Sequence, residues 1–337
     1  MRKVLKSVAL SVPQVRRLQD DRLRLYGEVE RLGHENDRLR ERLWEEQSPF
    51  YHYRSTFDAE AVIRRHAVPD LVPTPGFVTN FLGVRIDPAF VPDALAGKAG
   101  TVEPIPIPAN WHADIAEWAA ALRAVELAGD TFRMVELGCG WGCWMNNAGA
   151  AARRAGKAVH LTGIEGDPGH VAFAHAALAT NGFRADEVHV VHGIAGPARG
   201  TALWPRQSEP GGAWDLAPVL GASAAEVAEA EATGAYDVLD VVGLDELVGD
   251  VGPLDLLHVD IQGGEADLVD GCAALLAERV RYLLIGTHSR PIEGRLHARL
   301  VGDGWRLEIE RPAILALDRD QPAVLIDGVQ GWRNPVR

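Results

Sequence analysis

Cysteine is scarce in this chain of 337 residues, which holds only Cys139, Cys143 and Cys272. Three thiols cannot form a disulfide framework, and no further Cys/His pair completes a zinc-like spacing. Buried small thiols are the expectation, because free cysteine is among the most buried residue types. Long apolar runs are missing as well. No stretch approaches the ~20 residues that a membrane-crossing helix needs, so no membrane span is expected. Basic residues are outnumbered: 34 Lys and Arg against 47 Asp and Glu leave a net charge of −13. An acidic chain is a poor default binder of phosphate backbones, which argues against a nucleic-acid partner. Residues 1–12 are basic and mildly apolar but lack a small-residue cleavage site, so no signal peptide is expected. A cytoplasmic location is the default expectation. The remaining composition, 47% hydrophobic and 24% charged, is that of a globular protein with one large or two small domains.

What the chain does have is, first, a seven-residue period. Leu18, Leu25, Leu32 and Leu39 recur in one register, and Val15, Arg22, Val29, Asn36 and Leu43 in its companion. Leucine at d with a polar Asn36 at a is the pattern of a short two-stranded coiled coil. Residues 1–48 are therefore read as an oligomerisation helix that makes a homodimer. Gly27 and Gly33 weaken that helix by up to ~1 kcal/mol each. A single amphipathic helix lying on its own domain is the alternative. A zipper-type DNA binder would need a basic helix before the heptads, and Pro13 interrupts the few basic residues there.

Residues 49–110 are read as a proline-rich linker and substrate-side segment, punctuated by Pro69, Pro73, Pro75 and Gly76. Residues 102–108 are extended, because alternating prolines forbid helix. A helix over 112–128, capped near Asn110, places Ile115, Trp118, Ala119, Leu122 and Val125 on one stripe. Trp111 and His112 at its start are candidates to face a substrate. From residue 132 onward strands and helices alternate, which predicts a mostly parallel sheet with helices on both faces. Strands are expected at 133–137, 159–164, 188–192, 254–261 and 280–286, closed by an antiparallel pair at 305–309 and 324–326. Residues 204–234 are too long for a connector and read as a lid or mobile insertion.

The stretch Met134-Val135-Glu136-Leu137-Gly138-Cys139-Gly140-Trp141-Gly142-Cys143-Trp144 joins an apolar strand to a helix through clustered glycines. Glycines let the backbone turn sharply and approach a ligand, and the helix N-terminus offers unpaired N–H groups to it. The dinucleotide fingerprint wants a third glycine where Cys143 stands. Glu136, just before the turn, suits a cationic ligand better than a pyrophosphate. Glu165 ends the next strand, 27 residues after Gly138. An acid there can accept hydrogen bonds from both ribose hydroxyls of a nucleoside.

These blocks continue in order as GIEGDP, HGIAG, GLDELV, LLHVDIQGGEADLVDGC and LLIGTH. The series resembles the FkbM family of class I S-adenosylmethionine-dependent O-methyltransferases, from Phe132 to about Ile309. The resemblance implies a Rossmann-like α/β methyltransferase sheet, mostly parallel with an antiparallel last strand, over residues 111–337. It implies S-adenosylmethionine as cofactor, held by Glu136, Gly138, Cys139, Gly140, Glu165, Gly166, His192 and Gly193, with Glu136 facing the methionine amino group. It also implies methylation of a hydroxyl on a saccharide or secondary metabolite. Three positions depart from the family: His258 replaces a lysine, Gln262 a glutamate and Gly286 a glutamate. All three fall on the acceptor side, where Gln262, Trp111 and His112 are the candidate substrate contacts.

In-line methyl transfer requires alignment and a group that takes the hydroxyl proton. Candidates are His258, Asp260, Glu265 and His288, at strand ends where α/β sheets bind ligands. His288 is expected to be the base, with Asp260 orienting it. His258 is expected to be a packing histidine. A divalent metal is not favoured, because Gln262 and Gly286 leave few carboxylates. Two other readings stay open: an NAD-dependent oxidoreductase or epimerase, and a non-catalytic coiled-coil scaffold that binds S-adenosylmethionine.

Overall fold

The computed structural model describes residues 13–249, 252–317 and 321–336. It divides into two compact units, Met1–Tyr51 and His52–Arg337. The first contains one 35-residue helix, α1 (Pro13–Gln47), as the heptads require. On it Leu25, Val29 and Leu32 are exposed. The heptad side chains of Val15, Leu18, Asn36, Leu39 and Leu43 lie outside the described residues. Among the described residues no helix is long and apolar enough to cross a membrane.

The second unit is built on an eight-stranded sheet. Its strands are β1 (Arg54–Ser55), β2 (Thr131–Leu137), β3 (Ala158–Glu165), β4 (Val188–His192), β5 (Leu256–Val259), β6 (Tyr282–Thr287), β7 (Arg306–Arg311) and β8 (Gly328–Arg333). Their spatial order is β1-β7-β8-β6-β5-β2-β3-β4. Strands β2 to β6 run parallel to one another, and β8 is antiparallel to both β6 and β7. All residues of β5 and β6 are buried, as expected of parallel strands covered on both faces. The sequence builds outward from β2 in two directions, through β3 and β4 on one side and β5 and β6 on the other. The crevice outside the ends of β2 and β5 is thus a topological switch point, the usual ligand position in such sheets.

Helices α2 (Ile115–Leu127), α3 (Cys143–Arg154), α4 (Pro168–Thr180), α5 (Glu265–Arg279) and α6 (Arg290–Gly302) cover the sheet. Helix α2 starts later than the sequence implied. Asp114 caps it, in a reciprocal box with Glu117, and a buried ion pair joins Asp114 to Arg311. The Asn110 carboxamide oxygen instead accepts from His112 N and Ala113 N at 3.1 and 3.0 Å, which turns the chain before the helix.

Three further differences matter for the site. Residues 52–110 are not a loose linker: Ile63, Leu82, Ile86 and Leu95 are fully buried in the same core as α2 and α3. The segment around 204–234, read as a lid or mobile insertion, is built of regular elements. Strands Gly200–Pro205 and Tyr236–Gly243 pair antiparallel, and with Ile194–Gly196 and Val219–Leu220 they form a separate four-stranded sheet. Helix Ala224–Thr233, capped by Ser223, completes it. Finally, Ala323–Ile326 does not close the main sheet. It pairs with Ile314–Ala316 in a surface hairpin, and the buried strand β8 takes the central place. Val324, Leu325 and Ile326 form an apolar run that suggested a sheet strand, yet the burial falls on Val329 and Trp332.

Gly138 has φ +72°, and a Cβ there would overlap the backbone carbonyl oxygen of Asp260. We expect Gly138→Ala to lower the melting temperature severely or prevent folding. Gly182→Ala, at φ +71° with nothing within 4 Å, should cost only about 1–2 kcal/mol. Thermal melts of the two variants check the contrast.

Candidate functional site

The glycine turn is fixed from both sides. Gly138 N and Cys139 N each donate to Ile164 O at 3.0 Å, and Asp260 N donates to Leu137 O at 3.1 Å. The ends of β2, β3 and β5 are thereby tied at one point. Glu136 is buried, and its two carboxylate oxygens accept from Trp144 N at 3.0 Å and Met145 N at 2.8 Å. The sequence reading left the first N–H groups of α3 open to a ligand. Glu136 occupies two of them instead, and its carboxylate is a helix cap before it is anything else. Burial pushes its pKa up to about 8, against the pull of those two hydrogen bonds.

Glu165 is equally well held. One oxygen accepts from Gly140 N at 2.8 Å and the other from Asp167 N at 2.9 Å. A carboxylate offers about four acceptor positions, so two remain for a ligand.

A cavity of about 430 Å³ lies at the switch point. Gly138, Cys139, Gly140, Glu136, Glu165, Gly166 and Gly193 line it, as do Trp111, His112, His258, Asp260 and Gln262. The candidate cofactor and substrate residues thus meet in one space. His192 does not line it: that side chain is exposed, and its Nε2 lies 3.0 Å from Gly166 O. Gln262 sits in the left-handed region at φ +55°, in the turn between β5 and α5. Gly286 lies against the Asp260 side chain, 3.4 Å from where its Cβ would stand. The glycine there leaves Asp260 its space.

The cavity also has walls that sequence reasoning missed. Trp214, from the second sheet's segment, stacks on His170 with ring centroids 3.9 Å apart. Its ring comes within 2.7 Å of a Cβ placed on Gly140. Trp204, Glu117, Trp141, Cys143 and Trp144 also line the space. The tryptophan content was a visible signal, but nothing local in the sequence links Trp214 to Gly140. Among the lining residues are five acids (Glu117, Glu136, Glu165, Asp260 and Asp267) and neither Lys nor Arg. All three cysteines are buried, and burial pushes the thiols of Cys139 and Cys143 up.

His288 and Glu265 stand behind the cavity and do not line it. His288 Nδ1 is 2.8 Å from Glu265 Oε1, and Nε2 is 3.2 Å from Asp260 Oδ1. Glu265 is completely buried, and its Oε1 also accepts from Ile261 N at 3.2 Å and Gly263 N at 3.0 Å. Burial works to lower the His288 pKa, but the hydrogen bonds to Asp260 and Glu265 outweigh it and raise it to about 10. That shift favours the imidazolium at neutral pH and argues against the base role expected of His288. Its place beside Asp260 followed from the strand ends, and its raised pKa comes from Asp260 together with Glu265, which folds back from the start of α5. Burial works to raise the Asp260 pKa, yet the paired His288 holds it below the usual carboxylate range.

Asp260, Glu265 and His288 bring one donor atom each within 4.8 Å of one another, the group whose geometry could hold a metal ion among the described residues. The imidazolium already offsets one of the two negative charges there. A cation would have to displace the His288 proton.

The fold and this cavity define a Rossmann-like domain with a ligand site at the switch point. The chain is 45% identical over 262 residues to a Jannaschia sp. (strain CCS1) protein named as a methyltransferase, covering 78% of this chain and 94% of the relative. The chain belongs to that methyltransferase family. No family model matches it. Among solved structures it is similar to the FkbM methyltransferase of Methylobacillus flagellatus KT, at 15% identity and a TM-score of 0.38. That match covers 65% of this chain and 54%, about half, of the other. It is also similar to a precorrin-6y C5,15-methyltransferase from Geobacter metallireducens, at 12% identity and a TM-score of 0.35, covering 63% of this chain and 86% of that one.

Removing one partner of a buried ion pair typically costs about 3–5 kcal/mol, because the other charge is left uncompensated. His288→Ala, which strands the buried Glu265, should lose about that much stability. A folded-state pKa raised from 6.5 to about 10 means the stabilisation is complete below pH 6.5 and disappears as pH rises through about 10. Denaturant titrations across that window should show wild-type stability falling and the His288→Ala profile staying flatter.

Proposed function

We propose that the chain transfers a methyl group from S-adenosylmethionine to a hydroxyl of a saccharide or secondary metabolite, as an FkbM-like O-methyltransferase. The observation that carries this reading is the cavity's lining of five acidic residues without a Lys or Arg, at the switch point beside the glycine turn. Such a lining favours a cationic ligand and disfavours the pyrophosphate of a nicotinamide dinucleotide.

S-adenosylmethionine, when bound, supplies an electrophilic methyl on a sulfonium. Gly138 and Gly140 allow the backbone to approach the cofactor, and the free acceptor positions of Glu165 suit ribose hydroxyls. Cys139, Gly166 and Gly193 shape the surrounding wall. Glu136 holds the turn to α3 and places a buried acid near the cofactor's positive charge. Asp260, oriented by the His288 imidazolium, faces the acceptor side. Trp111, His112 and Gln262 line the same space and are the substrate contacts in this reading.

The Glu136 pKa of about 8 gives a test. A cationic ligand lowers that pKa, so binding releases a proton and affinity rises with pH up to about 8. The slope is at most about tenfold per pH unit. Calorimetry of S-adenosylmethionine in buffers of different ionisation enthalpy should show the release. Glu165→Ala should weaken binding by roughly 1.5–3 kcal/mol, the range for hydrogen bonds to a charged group. Tight NADH binding with no response to S-adenosylmethionine would overturn the reading.

A further inference from the structure

We propose that the part of the cavity bounded by Trp111, His112, Trp141, Trp144 and His258 is a subsite for an uncharged aromatic hydroxyl compound, whose hydroxyl proton passes to His258. The proposal rests on the methyl-transfer reading and names the substrate class and proton acceptor of that site.

His258 is the starting observation. It is only 3% exposed and lines the cavity, yet neither ring nitrogen has a hydrogen-bond partner. A buried polar group left unpaired is costly, so an imidazole kept this way beside a cavity is poised for a ligand. It sits on β5 opposite Glu136 and precedes Asp260 by two positions.

The surroundings define what the ligand is. His112 and Trp144 have ring centroids 5.4 Å apart, and Trp144 and His258 5.8 Å. Trp111 and Trp141 lie 6.5 Å apart and 29° from parallel. Indole walls recognise flat rings by stacking and edge contacts. Negative charge is excluded. No Lys or Arg lines the cavity, and Glu117 and Asp260 stand in it. Burial, with Asp114 and Asp260 nearby, already pushes Glu117 up to about 8, so the site resists charge on its own carboxylates. A phosphate or carboxylate on the acceptor would meet the same resistance.

His258 is better placed to take the proton than its neighbours. Asp260 is bound in the ion pair with His288. His112 is engaged through Nε2 with Cys143 Sγ. Burial lowers the His258 pKa to about 4, so the ring is neutral and free to accept. In the reaction the acceptor oxygen forms its bond to the methyl carbon as the carbon–sulfur bond breaks. The electron pair stays on sulfur, and the hydroxyl proton moves to a His258 ring nitrogen. The oxygen that has gained a methyl is far more acidic than an imidazolium, so a weakly basic ring suffices. Asp260 then faces the new imidazolium.

The test uses the full chain saturated with S-adenosylhomocysteine, and three probes: p-nitrophenol below its own pKa, p-nitrophenyl phosphate and methyl glucoside. Calorimetry should show p-nitrophenol binding at least about tenfold tighter than either other probe, and His258→Phe should reduce its affinity about tenfold. With S-adenosylmethionine, formation of p-nitroanisole should fall by ~10²–10⁴ in His258→Phe, while S-adenosylhomocysteine affinity stays unchanged. His258→Asn, which keeps hydrogen bonding but no basic nitrogen, should recover p-nitrophenol binding without recovering turnover. Tighter binding of the phosphate ester or the glucoside overturns the substrate class. Undiminished turnover in both variants overturns the role of His258. Failure of S-adenosylhomocysteine to bind the unaltered chain reports separately against the methyltransferase reading.

Discussion

The backbone carbonyl of Asp260 packs against the α-carbon of Gly138, in space that any side chain would fill. That one close approach brings the ends of β2 and β5 together at the point where the sheet's order reverses. The glycine turn, Glu165 at the end of β3, and Asp260 at the end of β5 then share a single cavity. The rest of the unit serves this junction. Strand β8, helix α2 and the packed segment 52–110 supply the apolar burial that keeps it rigid.

Around that junction charge is distributed by burial rather than by composition. Glu136 and Glu117 are each pushed up to about 8, and His258 and His112 down to about 4. These four lining side chains are thus held neutral or near it. The exception is the cluster behind the cavity, where the His288 charge is paired with Asp260 and Glu265. A cavity of this kind gains most from a cationic ligand and from an uncharged second reactant, the combination methyl transfer from a sulfonium requires.

Much of this was legible in the sequence because it depends on local pattern. The glycine turn, Glu165 in register with it, and the strand–helix alternation all follow from short-range periodicity and turn chemistry. The fold class and the meeting of Gly138, Glu165 and Asp260 were readable for that reason. What was not readable depends on contacts between distant segments. The second hydrogen bond to His288 comes from Glu265, 23 residues earlier, which turns back toward it. The capping role of Glu136 requires helix α3 to begin within reach of its carboxylate. Trp214 reaches Gly140 only because the second sheet folds over the cavity. Strand β8 enters the main sheet in place of Ala323–Ile326 for the same reason: burial, not apolar pattern alone, decides which strand enters the sheet.

The central claim is that the switch-point cavity is where S-adenosylmethionine binds. A crystal structure with S-adenosylhomocysteine tests it most directly. The account expects the nucleoside beside the glycine turn, with ribose hydroxyls on Glu165 and with His258 and Asp260 facing the position vacated by the methyl group. Density for the ligand elsewhere on the molecule, with the cavity unchanged, would contradict it.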